Sequence, residues 1–138
     1  MKPILEALRD TDKSYQQVLK KITMAQNVTI AEWQLLANVA QQFDTQDKLS
    51  LETHLDNSTL SRQLNSLVKK ELVNHVAVGH DRRQLIYEVT DQGEAVLSNV
   101  QSAYDNLEKQ VFSLWATEEK SMLQILLNRL DKSVTKLK

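Results

Sequence analysis

Two glycines and one proline in 138 residues leave this chain little with which to break a helix. Ordinary chains carry roughly 7% glycine and 5% proline. A chain this short of both is expected to fold into long helices with few loops. Apolar spacing agrees. Ile4, Leu8, Tyr15, Leu19 and Ile22 fall on one face of a helix over 4–24, with Leu5 and Val18 beside them. Residues 27–29 interrupt it. Thr29 followed by Glu32 is a capping-box pattern, opening a second helix to about Phe43 with Ile30, Trp33, Leu36, Ala37 and Ala40 inward.

A polar break at 44–47 precedes a short helix near 48–53, a tight connection at His54-Leu55-Asp56-Asn57, and a helix over about 58–70. Leu60, Leu64, Leu67 and Val68 form the apolar stripe of that helix. Ser58, Arg62, Asn65 and Lys69 lie opposite by 100° stepping. The one convincing β signal follows. In VAVGHDRRQLIYEVT, residues 76–90, two alternating runs flank a polar tip, predicting strands at 73–78 and 84–89. Thr90 can cap the next helix, with Asp91 and Glu94 near its positive end. Along it Leu97, Val100, Tyr104, Leu107, Val111 and Leu114 step 3, 4, 3, 4, 3, a heptad seam. Thr117 starts a last helix with Leu123, Leu126, Leu130, Val134 and Leu137 inward. The terminal helices carry more apolar seam than one small domain needs. Packing on each other within one chain and packing in a dimer are both open from spacing alone.

Two helices joined by a tight connection suggest a helix-turn-helix. The second of them is rich in Ser58, Thr59, Ser61, Asn65 and Ser66, all mediocre helix formers. Accepting that propensity cost favours short hydrogen-bonding side chains on the surface, which can approach phosphates and base edges. A hairpin directly after such a helix makes a winged helix. At its tip, Arg82 and Arg83 suit a phosphate backbone and a narrow minor groove. Asp81 can hold Arg83 extended as a charge-assisted pair. A net charge of −1 does not announce a nucleic-acid partner, but 58–90 holds five basic against three acidic residues while the remainder is −3.

LSLETHLDNSTLSRQLNSLVKKELV (49–73), then DRR (81–83) and VTDQGEAVL (89–97), resembles the MarR family of winged-helix transcriptional regulators. EWQLL (32–36) and WATEEKSMLQILLNRL (115–130) extend the resemblance over nearly the whole chain. It implies a mainly α fold with one β-hairpin wing: a single domain over 1–138, its winged helix-turn-helix at 30–92 and its dimerisation helices at 1–28 and 93–138. It further implies a homodimeric repressor on a pseudo-palindromic operator of double-stranded DNA, with the recognition helix in the major groove and the wing in the minor groove. The expected DNA contacts are Ser58, Thr59, Ser61, Arg62, Asn65, Ser66, Lys69, Arg82 and Arg83, with Asp81 orienting the wing. A small, often aromatic, effector is implied as well, with Tyr15, Trp33 and Tyr104 as pocket candidates. Two positions depart from the pattern. Glycine is common where His54 and Glu71 stand, and either position can require a left-handed residue.

No apolar run reaches the roughly 18 residues of a membrane span. The mixed charges of MKPILEALRD do not make a signal peptide, so a cytoplasmic protein is expected. There is no cysteine, which excludes disulfides, thiolate sites and thiol redox sensing. His54, His75 and His80 lack the spacing of a metal site. No nucleophile–base arrangement or phosphate loop is present. Neither metal, cofactor nor enzymatic activity is expected. The competing reading is a winged-helix protein-interaction module without DNA binding, which the near-neutral charge and the departures at His54 and Glu71 keep open.

Overall fold

The computed structural model describes residues 1–79 and 84–138. Among them are six helices and one two-stranded sheet: α1 Ile4–Met24, α2 Ile30–Ala40, α3 Gln46–Thr53, α4 Asn57–Lys69, β1 Val73–Val78, β2 Gln84–Val89, α5 Asp91–Val111 and α6 Thr117–Thr135. The mainly α class with a hairpin holds. Met1–Tyr104 and Asp105–Lys138 form two compact units.

The first unit is built around α2, which packs against α1, α3, α4 and β2. Its centre is aliphatic: Leu35, Leu36 and Val39 of α2, Leu49 of α3, Leu60, Leu64 and Leu67 of α4, with Val73, Tyr87, Val96 and Val100. The predicted stripe of α4 is therefore the buried one. The predicted inner face of α2 is corrected. Leu35 and Val39 are buried beside Leu36, while Trp33, Ala37 and Ala40 are only half-buried. α2 has neighbours on several sides, so its apolar residues do not define a single phase. It also ends three residues before Phe43.

The helix ends show how a glycine-poor chain stops its helices. Asn27, Gln42, His54 and Glu71 all adopt positive φ, between 60° and 74°. After α4, the Leu72 N–H bonds to the Leu67 carbonyl and the Glu71 N–H to the Val68 carbonyl, both at 3.0 Å. This is the paired closure that places a left-handed residue just past a helix. Val28 to Thr23 with Asn27 to Met24, and Phe43 to Asn38 with Gln42 to Val39, repeat it for α1 and α2. The left-handed requirement anticipated at His54 and Glu71 is met by side chains that pay for it in strain.

β1 and β2 pair antiparallel, Val73 with Val89 through Val78 with Gln84. The Tyr87 N–H donates to the Asp44 carbonyl at 2.8 Å, tying the hairpin to the loop after α2. Burial pushes the Tyr87 phenol up from its ordinary range.

In the second unit, α5 stops at Val111. Leu114, expected on the heptad seam, lies in the turn and is 96% exposed. There the Phe112 and Trp115 rings meet edge to face at 5.0 Å, and Lys120 sits 5.3 Å from the Phe112 ring centre. No residue of α6 is buried, and Met122, Ile125, Leu126 and Leu127 are all exposed. No helix among the described residues is long and apolar enough to cross a membrane.

Candidate nucleic-acid interface

α3 and α4 are joined through His54, whose backbone (φ 60°, ψ 18°) closes α3. Asp56 then caps α4. Its Oδ1 accepts from the Thr59 N–H at 2.7 Å and from the Ser58 hydroxyl at 2.9 Å. The Thr59 N–H, then the Thr59 and Ser58 side chains, hold the Asp56 carboxyl below its usual range, outweighing a small desolvation, with help from the Arg62 charge. Gln46, in the first turn of α3, reaches across. Its Nε2 donates to Ser61 Oγ at 2.8 Å and to the Asn57 carbonyl at 3.4 Å. The two helices are thus locked at the start of α4.

α4 is also tied to α2. The Glu32 side chain closes the capping box with the Thr29 N–H at 2.9 Å, while its backbone N–H donates to Thr29 Oγ1 at 3.0 Å. It then takes the Ser66 hydroxyl at 2.6 Å and the Lys70 ammonium at 3.0 Å. Lys70 also donates to the Asn27 carbonyl at 2.9 Å. Burial pushes the Glu32 carboxyl up. The bonds from Ser66, Thr29 and Lys70, with the Lys70 charge, outweigh it and leave the carboxyl below its ordinary value.

These tethers sort the candidate residues. Ser58, Arg62, Asn65 and Lys69 are exposed, one face over three turns. Arg62, Asn65 and Lys69 make no hydrogen bond or ion pair with a described residue. Thr59, Ser61 and Ser66 are half-buried, and the last two have partners inside the protein. Asp81, Arg82 and Arg83, with His80, lie outside the described residues.

The base of the hairpin is fixed to the end of α4. Thr90 Oγ1 donates to the Glu71 carbonyl at 2.6 Å, and the Thr90 N–H to the Leu72 carbonyl at 3.0 Å. Thr90 also caps α5, accepting from the Gly93 N–H at 3.0 Å. Gly93 is needed for space. A Cβ there would collide with the Leu72 carbonyl oxygen and stand 2.6 Å from Val89 Cγ1.

The three pocket candidates come together. The Tyr15 and Tyr104 hydroxyls are 2.9 Å apart, their rings meet edge to face, and Trp33 lies 6.4 Å from the Tyr104 ring. Burial, then the hydrogen bond and charge of Tyr104, push the Tyr15 phenol up to about 12. The Trp33 indole also borders a cleft of about 410 Å³ between α2, the end of α3 and α4, shared with Gln34, Asn38, Thr53 and Gln63. The Gln63 side-chain oxygen is buried and has no hydrogen-bond partner among the described residues. Sequence reasoning missed Gln46, Gln63, the cap at Asp56 and the second role of Glu32. Only Asp56 carried a local signal, an acceptor three residues before Thr59. No group of three or more potential metal-binding side chains exists among the described residues.

Residues 26–84 match the model of the MarR family. The chain is 31% identical over 78 residues to the HTH-type transcriptional regulator PecS of Dickeya dadantii, covering 56% of this chain and 47% of that protein. It is 35% identical over 79 residues to the uncharacterized HTH-type transcriptional regulator YxaD of Bacillus subtilis, covering 57% and 55%. It therefore spans about half the length of these curated relatives. The crystal structure of a mutant MarR from E. coli, complexed with operator DNA, superposes with a TM-score of 0.73 at 20% identity, covering 91% of each chain. Six helices and a two-stranded hairpin among the described residues, a helix-turn-helix locked at α3 and α4, and these likenesses make residues 26–84 similar to the MarR family, in a fold that the chain shares with MarR.

Proposed function

We propose that the protein is a sequence-specific regulator that binds double-stranded DNA as a homodimer and represses transcription from a pseudo-palindromic operator. One observation carries the reading: α4 presents Ser58, Arg62, Asn65 and Lys69 on one exposed face while Glu32 and Gln46 hold its other sides to the body. A rigid helix bearing arginine, asparagine and lysine matches base edges and phosphates together. That the MarR mutant was crystallised with operator DNA supports the same use of the fold. Arg82 and Arg83 extend the interface on the sequence argument, with Asp81 as orienting partner.

The dimer reading rests on exposed apolar side chains. Ile4 and Leu5 on α1 are 75% and 65% exposed, and Ile125 on α6 is 68% exposed. Large apolar side chains left this exposed on each of the two helices support an association site. Tyr15 and Tyr104, with Trp33, which also borders the cleft lined by Gln63, are the proposed seat of a small aromatic effector.

The test is fluorescence anisotropy with labelled duplex from upstream of the protein's own gene against a scrambled duplex, at two salt concentrations. The expected result is saturable binding, one dimer per site, with selectivity of roughly 10³ or more. Lys69→Ala should weaken both duplexes alike and flatten the salt dependence. Equal, weak binding of wild type to both duplexes, and to every member of a random library, would refute the proposal and favour a protein-interaction module.

A further inference from the structure

We propose that the first turn of α4 reads an exocyclic amino group of adenine or cytosine through the Ser58 oxygen, and is closed to phosphate. The inference rests on the DNA-binding reading and assigns hydrogen-bond direction within it. A serine hydroxyl has one proton to give and two lone pairs to offer. Ser58 Oγ lies 2.9 Å from Asp56 Oδ1. An ionised carboxylate only accepts, so the Ser58 proton is committed to Asp56. What Ser58 turns to solvent is lone pairs.

The surroundings reinforce this. A helix N-terminus ordinarily favours a phosphate, because free N–H groups and the helix dipole point at it. Here Asp56 already occupies that place with its own negative charge, and its Oδ1 takes the Thr59 N–H at 2.7 Å. A phosphate oxygen also only accepts. Brought to this turn, it would meet a carboxylate and an acceptor, with the Thr59 N–H already taken by Asp56. In the major groove the groups that donate are the N6 amino of adenine and the N4 amino of cytosine. An exposed acceptor on the first turn selects those and rejects guanine O6 and thymine O4.

Ser61, one turn along, has the opposite polarity. Gln46 Nε2 donates to its oxygen at 2.8 Å. The amide orientation is settled by its second contact, since the Asn57 carbonyl at 3.4 Å can only accept. Ser61 therefore keeps its proton to give, suiting a phosphate or a base acceptor. Two serines three residues apart divide the work. Ser58 specifies a base, while Ser61 joins Arg62 and Lys69 on acceptors.

The test starts with a random-library selection on the full-length wild-type protein, which yields the preferred duplex. Anisotropy is then measured for wild type, Ser58→Ala and Ser58→Thr. Each adenine is replaced in turn by purine and each cytosine by 2-pyrimidinone, deleting one amino group at a time. At one position per half-site, wild type should lose about tenfold on deletion of the amino group. Ser58→Ala should bind the intact duplex about tenfold more weakly and lose almost nothing further there, the mark of a coupled pair. Ser58→Thr, which retains the hydroxyl, should behave as wild type, and all three proteins should share one salt slope. Losses that simply multiply at every position overturn the proposal. So does a salt slope reduced by about one in Ser58→Ala, which would mean a phosphate contact. A selection that enriches no duplex overturns the DNA-binding reading itself, and this inference with it.

Discussion

Replacing His54 and Glu71 by glycine should stabilise the protein. His54 sits at φ 60° and Glu71 at φ 64°, each just past a helix. Holding a residue with a Cβ in that region costs roughly 1–2 kcal/mol. Glycine avoids that cost but gives up about 0.5–1 kcal/mol of extra unfolded-state freedom. The net gain per site is about 0.5–1 kcal/mol. Little is lost in exchange. Both side chains are exposed, and neither makes a hydrogen bond within the described residues. The contact Glu71 does make, its carbonyl to Thr90, is a backbone contact that glycine keeps.

The two sites lie at the ends of different helices, so the effects should add to about 1–2 kcal/mol. A chain of 138 residues has an unfolding entropy near 0.3 kcal/mol per degree, so the double variant should melt about 3–7 °C above wild type. The assay is thermal unfolding by far-ultraviolet circular dichroism at one protein concentration, because association raises Tm by mass action. Gln42→Gly, at φ 74°, should behave in the same way. Asn27→Gly should gain less, because asparagine tolerates this region. A Tm below wild type for both His54→Gly and Glu71→Gly would show that these backbones do not carry the strain assigned to them.

Three further outcomes are expected. Gly93→Ala should cost about 1–3 kcal/mol in urea unfolding, because the new methyl meets the Leu72 carbonyl and Val89; an unchanged midpoint would contradict that close approach. The Glu32 carboxyl is held below its ordinary value in the folded state, so its contribution is whole above the unfolded pKa and lost as pH falls through the folded one. Wild type should therefore lose stability more steeply than Glu32→Gln as pH falls below about 4.5, and parallel pH profiles would remove Glu32 from the acid response. Leu126→Asp, on the exposed apolar side of α6, should shift the sedimenting species from dimer to monomer while leaving the helical signal intact; an unchanged sedimentation coefficient would rule this face out of the interface.

The limits of α1, both strands and the inward stripe of α4 were legible because each rests on local periodicity and caps within three or four residues. The interior of α2 was not. Apolar on most sides, it offers no single phase, and only the packed fold distinguishes Leu35 and Val39 from Trp33 and Ala37. The seam of α5 ran one step too far. Leu114 continues the heptad in sequence, but the chain turns between Phe112 and Trp115 with no glycine or proline to announce it. For the candidate site, the exposed face Ser58, Arg62, Asn65 and Lys69 followed from geometry alone. The tethers could not, since Ser66 and Lys70 meet Glu32 across 34 and 38 residues of chain.

Those tethers change the meaning of the serines in α4. Read from sequence, poor helix formers on a surface helix point to an outside partner. In the fold, Ser66 is answered by Glu32, Ser61 by Gln46 and Ser58 by Asp56. An internal partner thus accounts for each hydroxyl's presence, and the propensity argument loses force for Ser66 above all. It keeps its force for Arg62, Asn65 and Lys69, which are exposed and make no hydrogen bond or ion pair with a described residue. It returns for Ser58 and Ser61 in sharper form, because the internal bond decides which half of each hydroxyl remains for DNA. On the proposed DNA-binding reading, that surface is specified partly by residues that do not lie on it. Asp56 before the helix and Gln46 on α3 set donor and acceptor along α4. A change at either should alter which bases are preferred before it alters whether DNA is bound.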